Sequence, residues 1–116
     1  MIIVAATHRG SQTQLGIRMG ERTEKSLIAA GHVCCPEEAI VRAWTHAATA
    51  LRGEQTAFRF IVQRRLLEGY FRLGWRVRSL PMLRALREFA RATQGMSVDF
   101  VYRTGSEGRA AARRRP

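Results

Sequence analysis

The sequence predicts a mainly α-helical domain, a small bundle of three to four helices with a central helical hairpin. Three observations predict it. Residues 36–51 and residues 80–94 each place their apolar side chains on one side of a helix, and residues 54–73 are apolar over more than half of a helical circumference. A chain of 116 residues is long enough to bury such a core as one domain.

The N-terminal segment favours strands before any helix. Residues 2–4 are β-branched aliphatics, and apolar side chains alternate with small or polar ones over residues 15–19, so the two segments predict a hairpin. Residues 21–30 instead predict a helix, because an acidic residue begins this segment and Gly31 follows as a stop.

The central hairpin is predicted over residues 36–73. Pro36 suits a first helical turn, the glutamates after it complement the helix dipole, and Glu38 is placed to pair with Arg42. Trp44 lies in the apolar stripe of this helix. The connection to residues 54–73 is so short that the two helices are expected to run antiparallel.

The last predicted helix has the most distinct polar and apolar faces. Ser79 is a suitable N-cap, Pro81 fits the first turn, and Gly95 ends the segment. Residues 98–102 have strand composition, so a short two- or three-stranded β element from the N- and C-terminal segments can accompany the bundle. We expect residues 1–103 to form the single helical domain and residues 104–116 a disordered basic tail.

The charge of the chain is concentrated in its second half. Of twenty basic residues nineteen are arginine, and residues 59–116 hold fourteen of these against four acids. Such a field attracts polyanions. We therefore expect a small nucleic-acid-binding protein, with DNA or RNA as its partner, that contacts phosphates through an arginine-rich face. The residues expected to form this face are Arg64, Arg65, Arg72, Arg76, Arg78, Arg84, Arg87, Arg91, Arg113, Arg114 and Arg115.

Three further interpretations of the sequence stand beside the predicted arginine-rich face. Trp75, between a glycine and an arginine, is a candidate for stacking on a base or on a partner surface. A helix–turn–helix over residues 61–94 would make the protein a transcription regulator, although residues 79–82 are poor base readers. Alternatively, the basic face docks on an acidic or nucleic-acid-binding protein, as an inhibitor would.

The sequence contains no motif typical of an enzyme, so we expect no catalytic residues, no cofactor and no metal. A thiol at Cys35 would be activated at a helix N-terminus, but two small buried thiols, Cys34 and Cys35, are the simpler interpretation. The adjacent cysteines converge poorly with His32 and His46 on one ion. No apolar run is long enough to span a membrane, and a cytoplasmic protein is expected.

Overall fold

The computed structural model describes residues 1–29, 31–53 and 57–103. Within them the elements are β1 (Ile2–Arg9), β2 (Gln12–Met19), β3 (Arg22–Ala29), α1 (Pro36–Leu51), β4 (Ala57–Val62), α2 (Arg65–Phe71), α3 (Leu80–Ala92) and β5 (Ser97–Tyr102). The strands form one five-stranded sheet in the order β3-β2-β1-β4-β5. The protein is therefore a mixed α/β domain, and the predicted helical bundle is wrong.

The first three strands form an antiparallel meander. Gly10 and Gly20, with φ of 61° and 62°, each begin a two-residue turn, which needs a positive φ at its first position. The hairpin predicted from residues 2–19 is confirmed. The helix predicted over residues 21–30 is wrong, because residues 22–29 pair with β2 along its whole length. The acidic residue at position 21 lies in a turn rather than in a helical first turn.

The helix predicted over residues 36–51 is confirmed with the same bounds, and it connects the meander to β4. Strand β4 pairs with β1 in parallel, a geometry that needs a crossover of this kind. Ile40 and Trp44 lie buried on the side of α1 that faces the sheet. The predicted pair is present too, with Arg42 Nε donating to Glu38 Oε2 over 2.6 Å.

The second arm of the predicted helical hairpin is the largest error. Residues 57–62 form a strand, and of the described residues in this arm only 65–71 are helical. Phe58, Phe60 and Val62 are fully buried, while the residues between them are half-buried. This alternation has the period of two that one face of a strand requires. Phe58 and Val62 also fall on one side of a helical wheel with Leu66 and Tyr70, which is why the helix was predicted. Phe60 would lie nearly opposite Phe58 on that wheel, so only a strand places all three on one face.

The remaining elements agree more closely with prediction. Helix α3 begins at Leu80 as expected and ends two residues before the predicted end, and Ser79 Oγ accepts a hydrogen bond from the Met82 N–H at 3.4 Å. The strand predicted over residues 98–102 is β5, which pairs in parallel with β4. No helix in the part of the chain that the structure describes has both the length and the apolar content to cross a membrane.

The core lies between one face of the sheet and the helices. Phe60 of β4 and Phe100 of β5 are register partners on that face. Trp44 of α1, Phe71 of α2 and Phe89 of α3 each lie with their ring centroid within 6 Å of one of these two rings. The three helices therefore share one side of the sheet.

Candidate nucleic-acid interface

One end of the domain gathers the features typical of a binding site in an α/β protein. The parallel strands β1 and β4 both end there, and the chain leaves them in different directions, to β2 and to α2. Ligands of open α/β sheets usually bind in the crevice beyond the carboxyl ends of such strands. Helix α1 begins at this end, because Arg64, which follows β4, bonds to Glu37 in the first turn of α1. Helix α3 begins beside it, because Cys34 Sγ lies 3.5 Å from Ser79 Oγ.

A cleft of about 620 Å³ lies at the ends of β1 and β4. Its walls are mostly polar, and they carry amide, imidazole and guanidinium groups. The lining residues are Ala6, Thr7, His8, Arg9, Gln12, Gln14, Leu27, Ile40, Gln63 and Arg64. Amides donate and accept hydrogen bonds, whereas guanidinium groups only donate, so this lining suits a ligand with many acceptor oxygens.

The imidazole of His8 is held in place by the neighbouring strand. Its Nδ1 lies 2.9 Å from Oγ1 of Thr13, the residue opposite it in the β1–β2 register. Thr13 is buried, so this contact anchors the ring from the core side. The contact uses one of the two ring nitrogens, and His8 also lines the cleft.

Two glutamates at the start of α1 are both engaged by arginines. Arg64 Nε donates to Glu37 Oε2 at 2.8 Å, and this contact ties the end of β4 to α1. Burial raises the pKa of Glu38, but hydrogen bonds from the Cys34 N–H and from Arg42 outweigh it and bring this pKa below its ordinary value. Both carboxylates are therefore neutralised, and the charge that remains beside the cleft is positive.

The thiols at the start of α1 differ from the sequence prediction. Cys34 is exposed and Cys35 half-buried, so the predicted pair of buried thiols is wrong for Cys34. Burial raises the pKa of Cys35 to about 11, opposite to the lowering that the helix dipole predicted. His46 is exposed on the polar side of α1. Among residues 1–29, 31–53 and 57–103, no three His, Cys, Asp or Glu side chains are grouped so as to hold a metal ion.

The predicted arginines of α2 are only partly free. Arg64 is bound to Glu37, as described above. Arg72 Nη1 lies 3.7 Å from Glu68 Oε2, and its guanidinium lies 5.5 Å from the centroid of the Tyr102 ring. Arg65 is exposed and has no carboxylate within 4.0 Å among the described residues. One of these three side chains is thus available for a phosphate without breaking a contact.

The arginines of α3 lie as the sequence predicted. Arg84, Arg87 and Arg91 are exposed on the side opposite the buried Met82 and Phe89. None of the three has an ion-pair partner in the described part of the chain. We call this set the α3 arginine face.

The other arginines predicted to bind phosphates lie outside α2 and α3. Arg76 and Arg78 are exposed in the connector between α2 and α3, together with Trp75. Arg113, Arg114 and Arg115 lie outside the described residues, as does the rest of the predicted tail. The described members of the predicted face thus lie on α3, in the connector and between the end of β4 and the end of α2.

Sequence reasoning missed the cleft. His8, Gln14 and Gln63 belong to it because β1, β2 and β4 are neighbours, and neither β4 nor its pairing with β1 was predicted. The signal that could have revealed it is the alternation at Phe58, Phe60 and Val62 followed by polar residues. The helix–turn–helix over residues 61–94 is absent, since its first part contains the end of a strand. The structure gives no support to a transcription regulator.

Comparisons with known proteins identify the fold. No protein-family model matches the chain, and no curated protein does. The solved structures that are similar to it include three with 13% identity. The alignment with RNase H1 from Halobacterium salinarum covers 96% of this chain and 90% of that protein, with a TM-score of 0.66. The N-terminal RNase H domain of a Mycobacterium tuberculosis protein, solved as a fusion with maltose-binding protein, covers 97% and 90%, with a TM-score of 0.63.

The third similar structure is LC11-RNase H1 in complex with an RNA/DNA hybrid, which covers 92% of this chain and 88% of its own with a TM-score of 0.66. The prediction that the protein is not an enzyme is overturned, because the similar structures include RNase H1 enzymes. The lack of a recognisable catalytic motif in the sequence therefore excludes no activity. The chain has the fold of RNase H domains.

Proposed function

We propose that this protein binds nucleic acid with the end of the domain at which β1 and β4 end and the helices begin. The observation that carries the proposal is the polar cleft at that end together with arginines that have no carboxylate partner among the described residues. Phosphates would be bound by Arg9, Arg65 and the α3 arginine face. The amides of Gln14 and Gln63 would meet bases or ribose hydroxyls in the cleft.

The ligand to test first is an RNA/DNA hybrid. A protein of the same fold, LC11-RNase H1, was solved with one. A duplex with an RNA strand offers 2′-hydroxyls that DNA lacks, and amide side chains can donate to and accept from them. The hybrid should therefore bind more tightly than the DNA duplex of the same sequence.

The test is a fluorescence-anisotropy titration of labelled hybrid, DNA duplex and RNA duplex at several salt concentrations. The logarithm of the binding constant should fall linearly with the logarithm of salt, by about 0.9 for each phosphate contacted in a DNA duplex. Replacing Arg84, Arg87 and Arg91 together with glutamine should weaken binding to each duplex and reduce this slope by up to about 3.

The matched control replaces Arg18, Arg22 and Arg52 with glutamine. These residues are exposed near the start of β1 and at the C-terminal end of α1, away from the cleft, and their replacement removes the same charge. Equal losses in the two triple variants would mean that only net charge is sensed, and the proposed face would be abandoned. Binding with little salt dependence that is lost on truncating a few side chains would favour the acidic protein partner instead.

Hydrolysis of a nucleic-acid strand is a second candidate, and the observation that favours it is the likeness to RNase H1 structures. Nucleases often use carboxylates that hold metal ions. The described residues do not fit that requirement, because they contain no group of three or more suitable ligands and Glu37 and Glu38 are bonded to arginines. We therefore derive no step that uses a metal.

Cleavage can be measured directly. Labelled hybrid is incubated with the protein, with and without Mg²⁺ or Mn²⁺, and the products are separated on a denaturing gel. Intact strands at protein concentrations that saturate binding would exclude this candidate while leaving the binding proposal unchanged. Cleavage that is lost in the His8→Ala variant would assign a role to the cleft.

A further inference from the structure

The indole of Trp75 lies flat on the backbone of Gly69. A Cβ atom added at Gly69 would lie 2.0 Å from Cε3, 2.2 Å from Cδ2 and 2.6 Å from Cζ3 of that ring. An approach in the ring plane would leave the second and third of these carbons much farther away than the first. The short distances to all three show that Gly69 meets the face of the indole.

The backbone holds the ring in this position. Gly74, with φ of 68°, turns the chain back after α2, and the Trp75 N–H then donates to the Gly69 carbonyl at 2.9 Å. The Leu73 N–H donates to the same carbonyl at 3.2 Å. A ring held at its base and along one face loses little conformational entropy when a ligand covers it.

Trp75 is exposed to solvent. It remains 41% exposed although one of its ring faces is covered. Tryptophan is enriched at binding interfaces because its ring offers a large apolar surface together with a polar N–H. Trp44, the other tryptophan, is fully buried and cannot serve this role.

The surroundings of the ring are cationic. Arg76 and Arg78 follow it in the same connector, both exposed and both without a carboxylate within 4.0 Å in the described ranges. The connector ends at Ser79, which contacts Cys34 at the start of α1. Its end therefore lies at the same end of the domain as the cleft. An exposed aromatic ring in a segment that also carries exposed guanidinium groups is a combination that binds single strands, with a base on the ring and phosphates on the cations.

We propose that Trp75 is a stacking platform for an unpaired base, with Arg76 and Arg78 holding the flanking phosphates. This inference rests on the proposed function and adds a ligand class to it, a nucleic acid with a single-stranded segment. Gly69 is a positioning residue for the platform, because any side chain there would push the indole away.

The test compares two labelled oligonucleotides of equal length, oligo(dT) and the same strand with abasic residues in place of the central thymidines. Their phosphates are the same, so a difference in affinity reports on bases alone. The wild-type protein should prefer oligo(dT), and Trp75→Ala should weaken oligo(dT) binding by about 5- to 100-fold. Binding of the abasic strand should change less than twofold.

Two further variants separate stacking from folding. Trp75→Phe keeps an aromatic face and should restore most of the preference for oligo(dT). Leu80→Ala is the matched control, since Leu80 is an apolar side chain of comparable exposure in the next element and should leave both affinities unchanged. Quenching of tryptophan fluorescence by oligo(dT) should disappear in Trp75→Phe, because Trp44 is buried.

Three outcomes decide the matter. Selective loss of oligo(dT) binding in Trp75→Ala, with recovery in Trp75→Phe, supports the platform. Equal losses for both strands, or none, would overturn it while the salt-dependent binding of the proposed function stands. No binding of either strand or of any duplex by the wild-type protein at low salt would remove both proposals.

Discussion

Trp44 shows how one side chain joins most of the elements of this fold. Its ring centroid lies 5.2 Å from that of Phe60, 5.8 Å from Phe89, 5.9 Å from Phe71 and 6.4 Å from Phe100. Two strands and two other helices thus meet at a residue of α1. Aromatic pairs at such distances add to the stabilisation that burial alone provides.

Replacing Trp44 with alanine should lower the free energy of unfolding by about 3–5 kcal/mol, because the cavity left between sheet and helices cannot collapse fully. Chemical denaturation measures this loss of stability. Leu80→Ala, at an exposed position, should change stability by no more than about 0.5 kcal/mol. A loss below 1 kcal/mol for Trp44→Ala would show that the aromatic cluster does not form the core.

The half-buried thiol of Cys35 should make stability depend on pH in the alkaline range. Burial raises its pKa from 9.0 to about 11. Between these values the unfolded chain has lost the proton that the folded chain keeps, so the free energy of unfolding falls as pH rises from 9 to 11. Denaturation of wild type and Cys35→Ala across this range should show a smaller decline in the variant. Parallel curves would contradict the raised pKa.

At the scale of elements, prediction succeeded where the local signals agree. Helix α1 has a proline in its first turn, acids after it and a continuous apolar stripe, and its bounds were predicted correctly. Helix α3 has a capping serine and a basic face, and only its end was misplaced. In both segments the helical period of the side chains coincides with capping signals.

Prediction failed where one pattern fits two periods. Phe58 and Val62 are four residues apart, a spacing that suits one side of a helix as well as one face of a buried strand. Phe60 between them agrees only with the strand. The deciding contacts are with β1, more than fifty residues earlier in the sequence, and no local pattern contains them. Because this segment was predicted as a helix, the cleft was not predicted, since it forms only where β1 and β4 are neighbours. The arginines of α3 were found because they depend only on a local helix.

The start of α3 offers a test at this scale. Ser79→Ala should lower the free energy of unfolding by about 0.5–2 kcal/mol, since the Met82 N–H would lose its acceptor. Ser79→Asp should retain most of the stability, because aspartate also caps helices well. Ser26→Ala on the exposed edge strand is the control. Equal stability of Ser79→Ala and the control would show that the hydroxyl does not cap the helix.

For the whole molecule, the net charge of +11 opposes compactness. Arg64, Arg42 and Arg59 are among the arginines held by carboxylates, whereas the α3 arginine face and the connector arginines have no such partner among the described residues. The arginines that we propose contact phosphates therefore contribute strongly to this repulsion. A bound polyanion would relieve it.

Salt should therefore stabilise the free protein. Raising NaCl from about 10 mM to about 150 mM shortens the Debye length from about 30 Å to about 8 Å, and the melting temperature should rise. Differential scanning fluorimetry measures this shift, which should be smaller in the variant with Arg84, Arg87 and Arg91 changed to glutamine. A melting temperature that falls with salt would mean that attractive ion pairs dominate instead.

β1, the first of the five strands in sequence order, lies at the middle of the sheet, with β2 on one side and β4 on the other. On a ribosome, the meander emerges before β4 and can pair within itself, but the second edge of β1 has no partner until residues 57–62 have been translated. Until then its backbone groups and apolar side chains remain open to other nascent chains. Newly made protein should accordingly depend on chaperones most during the interval between the third and fourth strands.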